Sequence, residues 1–332
     1  MLAAVGLLAA VVSPAFAQPA SPPGLQKAIA AQERHTNALL AIPGVIGTAV
    51  GLGASGPPVV KVFTESRAVA GVPHVLDGVP VVVEVTGKLV ARHHRPGHGA
   101  GGDGEAPAVD PTARFDRPVP IGVSTGHPEI TAGTIGARVK QGNVVYALSN
   151  NHVYANTNDA TVGDSVLQPG PFDGGVDPDD AIGTLAAFHE IDFGGDNVID
   201  AAIALSSTAD LGRATPANGY GTPRSTPVAA VLTQRVQKYG RTTGLTSGRV
   251  DAVNATVNIE YNPGQVARFV RQIIIRPGTF SAGGDSGSLV VVKGGPNDRS
   301  PVGLLFAGSL VVTIANPIGD VLARFGVTVD GE

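Results

Sequence analysis

Beyond about residue 119 the apolar residues fall in short runs, each closed by glycine, proline, asparagine or serine. Gly133–Val139, Asn143–Leu148, Arg249–Val253, Arg268–Ile275 and Ser288–Val292 are rich in β-branched residues and predict strands. Strands punctuated so regularly predict a barrel or a sandwich. The pattern upstream is different. Over residues 24–41 the apolar positions recur at three- and four-residue spacing, which predicts a helix that Pro43 ends. Val45–Leu52 and Val59–Thr64, with Gly-Pro punctuation between them, predict a hairpin, and Val81–Thr86, entered through Pro80, a further strand. Together these make a small α/β domain over 24–92, either a pro-region that assists folding or blocks a cleft, or a permanent accessory domain.

The segments between these blocks carry no apolar period. Residues 93–118 are rich in Gly, Pro and Asp and read as a flexible linker. Its His93, His94 and His98 lack a matching ligand set, so a solvated linker is expected and no metal. The first residues form an apolar stretch closed by Ser13-Pro14-Ala15-Phe16-Ala17, which reads as a signal peptide over 1–17 and implies a secreted or periplasmic protein. An N-terminal membrane anchor is the alternative, but the run is short. No later stretch reaches membrane length, so no membrane partner is expected after signal removal.

Composition narrows the class. Hydrophobic residues at 43% suffice for a core, while Gly 45 and Pro 26 favour short strands and many turns. A net charge of −4 without a basic stripe argues against a nucleic-acid partner. The chain has no cysteine, so no disulfide contributes to its stability.

The candidate chemistry lies near the C-terminal end, in Gly284-Asp285-Ser286-Gly287 followed by an apolar strand. A serine on such a turn can be a nucleophile. Gly284, lacking Cβ, can turn its N–H toward a reacting carbonyl, and the N–H of Ser286 can serve as the second donor of an oxyanion hole. The serine needs a base, and the base an orienting carboxylate. Tyr146–Leu148 runs through Ser149-Asn150-Asn151 into His152, and Asp200 opens the apolar run Ala201–Leu205. Asp192 and Asp196 compete with Asp200 but lie in a Gly-rich loop. Asp200 is favoured because a carboxylate at the start of a buried strand needs a partner. The chain order is then His152, Asp200, Ser286.

With these motifs the chain resembles chymotrypsin-fold serine peptidases, most closely the bacterial streptogrisin and α-lytic type. Gly240-Arg241-Thr242-Thr243-Gly244 is similar to a hairpin of those enzymes, and Ile314–Val327 to their C-terminal helix. The resemblance covers roughly residues 118–330. It implies an all-β catalytic domain over 119–330, with two antiparallel six-stranded β-barrels, a C-terminal helix and the active site between the barrels. His152 and Asp200 would come from the first barrel and Ser286 from the second. Val153, Gln237 and Ser247 stand where the relatives often carry cysteine.

By the same resemblance Asp285 forms a buried ion pair that shapes the oxyanion loop, with Lys238 as partner and Arg241 as runner-up. A new amino terminus at Ile121 is the other possibility. Phe306-Ala307-Gly308 would run along the substrate backbone, with Phe306 in place of a common serine. Phe280, six residues before Ser286, offers no acidic floor to a primary pocket, which leans toward small or apolar side chains. Asp173, Asp177, Asp179 and Asp180 do not fit a calcium loop and read as a solvated acidic turn. The implied function is a secreted serine endopeptidase acting on protein or peptide substrates without a cofactor. A catalytically weak protease-fold scaffold and an esterase using the same triad are the rivals.

Overall fold

A computed structural model describes residues 22–91 and 109–332. The expected leader and the three linker histidines lie outside the described residues. The described residues begin with helix α1 (Leu25–Leu40), then strands β1 (Val45–Leu52), β2 (Pro58–Thr64), β3 (Val75–Leu76), β4 (Val79–Val85) and β5 (Val90–Ala91). Next come β6 (Ser124–Thr125), β7 (Gly133–Thr134), β8 (Ala137–Gln141) and β9 (Val144–Ser149), the short helix α2 (Asn151–Tyr154), then β10 (Ser165–Leu167), β11 (Ala181–Phe188), β12 (Asp196–Asn197) and β13 (Ala202–Ser206). The remainder is β14 (Arg235–Gly240), β15 (Gly244–Asn262), β16 (Gln265–Arg276), β17 (Leu289–Val292), β18 (Pro301–Gly308), β19 (Thr313–Pro317), α3 (Ile318–Phe325) and β20 (Thr328–Val329). The protein is thus mostly β, with few helices and one of them close to the C-terminus.

Two sheets carry the site. The first has six strands in the order β10-β11-β13-β9-β8-β20. Ala147, Val166, Leu185 and Ala204 from its strands form one buried cluster with Val123 and Ile135, which flank the two-stranded sheet β6–β7. In the second, the antiparallel pairs β14–β15, β15–β16, β16–β19, β19–β18, β18–β17 and β17–β14 close into a ring. Phe280, Val236, Val250, Ile275, Val290 and Leu305 pack together as a buried cluster within it. Two glycines let the sheets meet. Gly287 has φ +93, and a Cβ there would lie 2.2 Å from both Ser149 Oγ and Thr134 O. Gly136 faces it, where a Cβ would come within 2.3 Å of Gly287 O.

The helix, the hairpin and the β4 strand expected over 24–92 are present. Helix α1 buries Ala28, Ala31, Gln32, Thr36 and Leu39, the stripe set by its three- and four-residue spacing. The β1–β2 hairpin does not form an isolated sheet: β1 pairs antiparallel with β15, continuing the second sheet to twelve strands. Buried charges reinforce this junction. Lys61, 6% exposed at its side chain, lies 3.0 Å from Glu84 and 2.8 Å from Asp251, and Arg276 reaches the same two carboxylates. Strand β5, which the residue pattern does not suggest, pairs antiparallel with β18, Ala91 opposite Ala307 and Val90 opposite Gly308.

Candidate active site

Strand β9 delivers His152. After Ser149 the chain turns into α2, and Asn150 Nδ2 donates to the Asp200 carbonyl at 2.7 Å. The Asp200 N–H donates to Asn316 Oδ1 at 3.0 Å, and Asn316 Nδ2 donates to Gln272 at 2.8 Å. Asp200 is therefore held by its own backbone before its side chain acts. Its carboxylate faces the imidazole, with Oδ2 2.5 Å from His152 Nδ1 and Oδ1 accepting the His152 backbone N–H at 3.3 Å. Tyr261 Oη donates to the same Oδ2 at 2.7 Å. Asp200 is fully buried and His152 1% exposed. Burial pushes the Asp200 carboxyl up, but the imidazole and the hydrogen bonds from His152 and Tyr261 outweigh it and hold the group below the usual aspartate range. An ionised carboxylate beside Nδ1 pairs with a proton on that nitrogen, so that in the neutral imidazole Nε2 is the acceptor.

The Ser286 turn precedes β17 of the second sheet and is bonded to β7, which pairs with β6 in a two-stranded sheet. Ser286 O accepts the Thr134 N–H at 2.8 Å, and Gly284 O accepts Thr134 Oγ1 at 2.9 Å. A Cβ on Gly133 would touch Val153, next to His152, at 2.5 Å and Ser286 O at 3.2 Å. The serine turn and the histidine turn therefore converge on β7. Ser286 Oγ donates to Phe306 O at 3.1 Å.

Asp285 fixes the shape of this turn. It accepts the N–H groups of Ala282 and Thr242 at 2.9 Å and of Thr243 at 3.1 Å, and Thr243 Oγ1 at 2.7 Å. Lys238 Nζ lies 3.2 Å from it, both side chains wholly buried. Burial raises the Asp285 carboxyl, yet Lys238 and these donors keep it below the usual range. Arg241, the runner-up, pairs with Asp173 instead, and Ile121 is an internal residue whose N–H donates to Ala214 O. Gly284 has φ +93, and a Cβ there would meet Thr242 Oγ1 at 2.5 Å, so the turn needs glycine.

The remaining candidates separate. Asp192 accepts the Gly194 N–H, and Asp196, 53% exposed, pairs with Arg268. Phe280 is buried in the core of the second ring. Phe306 is also buried and lies against Phe269, ring centroids 4.7 Å apart. Ala307 and Gly308 carry the pairing with β5. The expectation of a solvated acidic turn over 173–180 needs correction. Asp177 and Asp179 are exposed, but Asp180 pairs with Arg114 at 2.6 Å, and Asp173 accepts from Arg241 and from Ser124 Oγ. The carboxylates meet arginines that the sequence pattern gives no reason to bring there.

Tyr261, Asn316 and Asn150 were missed by the sequence reading. Tyr261 had a readable signal: it continues the buried alternation Val257, Ile259, Tyr261, and a buried phenol needs a partner for its hydroxyl.

The family described as Nal1 C-terminal domain matches residues 221–314. The chain is 36% identical over 125 residues to "Serine protease 1" of Streptomyces fradiae, covering 36% of this chain and 31% of that protein. It is 34% identical over 127 residues to "Glutamyl endopeptidase 2" of Streptomyces griseus, covering 34% of this chain and 56% of that protein. The chain thus spans about a third and just over half of the length of these curated relatives. A solved glutamic acid specific serine protease superposes with a TM-score of 0.47 at 23% identity, covering 64% of this chain and 100% of that one. By its motifs and their order, and by similarity to these curated proteases, the chain resembles bacterial serine peptidases of the chymotrypsin fold.

Proposed function

We propose that the protein is a serine endopeptidase in which Ser286 is the nucleophile, His152 the general base and Asp200 the group that orients it. The observation that supports this reading is the buried His152–Asp200 contact at 2.5 Å, with β7 touching both Val153, next to the imidazole, and the serine turn. Ser286 Oγ attacks the scissile carbonyl, and its proton passes to His152 Nε2. The carbonyl carbon becomes tetrahedral, and its oxyanion is received by the Gly284 and Ser286 N–H groups. As that intermediate collapses, His152 returns the proton to the leaving amine, and water then hydrolyses the acyl-enzyme by the same route. Asp200 stays ionised throughout and stabilises the imidazolium. Lys238 and Asp285 act indirectly by holding the oxyanion turn. No step needs a cofactor.

The N-terminal unit over 24–92 is read as a cover for this cleft. Leu89 and Ala91 are buried in the cluster that holds Tyr261, Phe269, Phe306 and Ala307, and β5 occupies the edge along which a substrate backbone would pair. Secretion rests on the leader-like start, and among the described residues no helix is long and apolar enough to cross a membrane. The pocket preference is read as small or apolar.

Parallel assays on an unstructured protein and a simple ester test the reaction class. Endopeptidase action predicts cleavage of both, abolished by Ser286→Ala. Ester turnover without peptide cleavage selects the esterase, and neither, with the N-terminal unit removed, selects the scaffold.

A further inference from the structure

We propose that Tyr261 is a positioning residue of the triad, whose hydroxyl pins Asp200 so that the carboxylate keeps the imidazole directed at the serine turn. The proposal deepens the hydrolytic reading and rests on it, but the bond concerned can be observed without turnover.

Tyr261 touches both partners. Its Oη donates to Asp200 Oδ2 at 2.7 Å, and its ring meets the His152 ring edge-on, centroids 5.9 Å apart at 73°. Oδ2 therefore serves two donors, the Nδ1–H of His152 and the phenol. Without the phenol, the contacts that fix the rotation of the carboxylate would, among the described residues, come from His152, the group it has to orient. The phenol is itself immobilised. Phe269 stacks on its ring at 6.2 Å and Phe193 meets it edge-on at 5.8 Å, while the direction of the hydroxyl is set by its bond to Asp200. Burial and the neighbouring carboxylate both push the Tyr261 hydroxyl well above its usual range, which keeps it protonated and a donor.

The bond also joins the two sheets. Tyr261 stands near the end of β15 in the second sheet, whereas His152 and Asp200 flank strands of the first. Phe269 lies between Tyr261 and Phe306, and the Phe306 carbonyl receives the Ser286 hydroxyl. One packed aromatic row thus runs from the carboxylate end of the triad to the serine end.

Tyr261→Phe keeps the ring and removes the donor. Two readouts apply: the low-field proton resonance of His152 Nδ1–H, identified by its loss in His152→Gln, and the rate of Ser286 labelling by a fluorophosphonate. Removing a donor from Oδ2 leaves more of its charge for the imidazole proton, so the resonance is expected to move downfield. A hydrogen bond to a charged group is worth enough for the labelling rate to fall about tenfold or more. In an Asp200→Asn background the same change is expected to add nothing, because its effect passes through the carboxylate. Phe269→Leu loosens the packing but leaves the hydroxyl, and is expected to keep the parent resonance. An unmoved resonance in Tyr261→Phe, an equal rate loss in the Asp200→Asn background, or the Tyr261→Phe shift reproduced by Phe269→Leu would each overturn the assignment. A parent protein with the resonance but no labelling would sink the hydrolytic reading and leave the Tyr261 assignment to be decided by the resonance.

Discussion

Val90 lies opposite Gly308 in an antiparallel pair, so the last residue of β18 is met by the chain's own N-terminal unit. Leu89 beside it is 2% exposed, and its carbonyl accepts the Glu260 N–H at 2.9 Å. The strand is thus held from β15 and β18 together, and Ser286, whose hydroxyl donates to the Phe306 carbonyl on β18, is 1% exposed.

Breaking that pairing should open the site. Val90→Pro removes a backbone donor and constrains the strand. One lost hydrogen bond is worth roughly 0.5–1.5 kcal/mol, so Ser286 should label about two- to tenfold faster than in the parent. An unchanged rate would mean that β5 does not limit access.

The buried pair of Lys238 and Asp285 should matter more to the fold than its single contact suggests. Lys238→Met removes one partner and strands the other charge, a change that costs about 3–5 kcal/mol. Chemical denaturation of the variant should show a loss of that order. Lys238→Met/Asp285→Asn should recover part of it. If the single variant is as stable as the parent, the pair is not what holds the oxyanion turn.

Acid should destabilise the protein through the same carboxylates. Asp200, Asp285 and Asp330 are all held below the ordinary aspartate value of 3.8 in the folded chain. The sign follows from linkage: above that value each contributes its full stabilisation, and the contribution is lost as pH falls from there through the lower folded values. Melting temperature should be nearly flat where carboxylates are ionised and drop steeply below about pH 4. Asp285→Asn should flatten the drop; a variant with the parent's acid profile would contradict the assignment.

Gly287→Ala tests the contact between the sheets. The residue has φ +93, and an added Cβ would strike Ser149 Oγ and Thr134 O. Backbone strain of this kind costs about 1–3 kcal/mol before the clash is counted. Thermal unfolding should show a clear fall, whereas Gly142→Ala, in open space, should lose less.

Much of this site was legible because its chemistry is local in sequence. Ser286 in a glycine-rich turn, His152 at the end of an apolar run and Asp200 at the start of another each carry a signal in their neighbours, as does the helical stripe of α1. What could not be read depends on pairing across long separations. Asp173 looks solvent-facing from its acidic neighbours, and only the fold brings Arg241 to it. Strand β5 is too short to announce itself and exists through β15 and β18. Tyr261 lies between these cases: alternation marks it as buried, but nothing nearby names Asp200 as its acceptor.

In the proposed reaction His152 and Asp200 make Ser286 nucleophilic. Fluorophosphonate labelling followed by peptide mapping tests it most directly, on the parent and on His152→Ala, Asp200→Asn and Ser286→Ala, with and without the N-terminal unit. One adduct is expected, on Ser286, absent in Ser286→Ala, all but lost in His152→Ala, and slower by orders of magnitude in Asp200→Asn. No adduct in the uncovered protein, or an adduct formed at the parent's rate without His152, would contradict it.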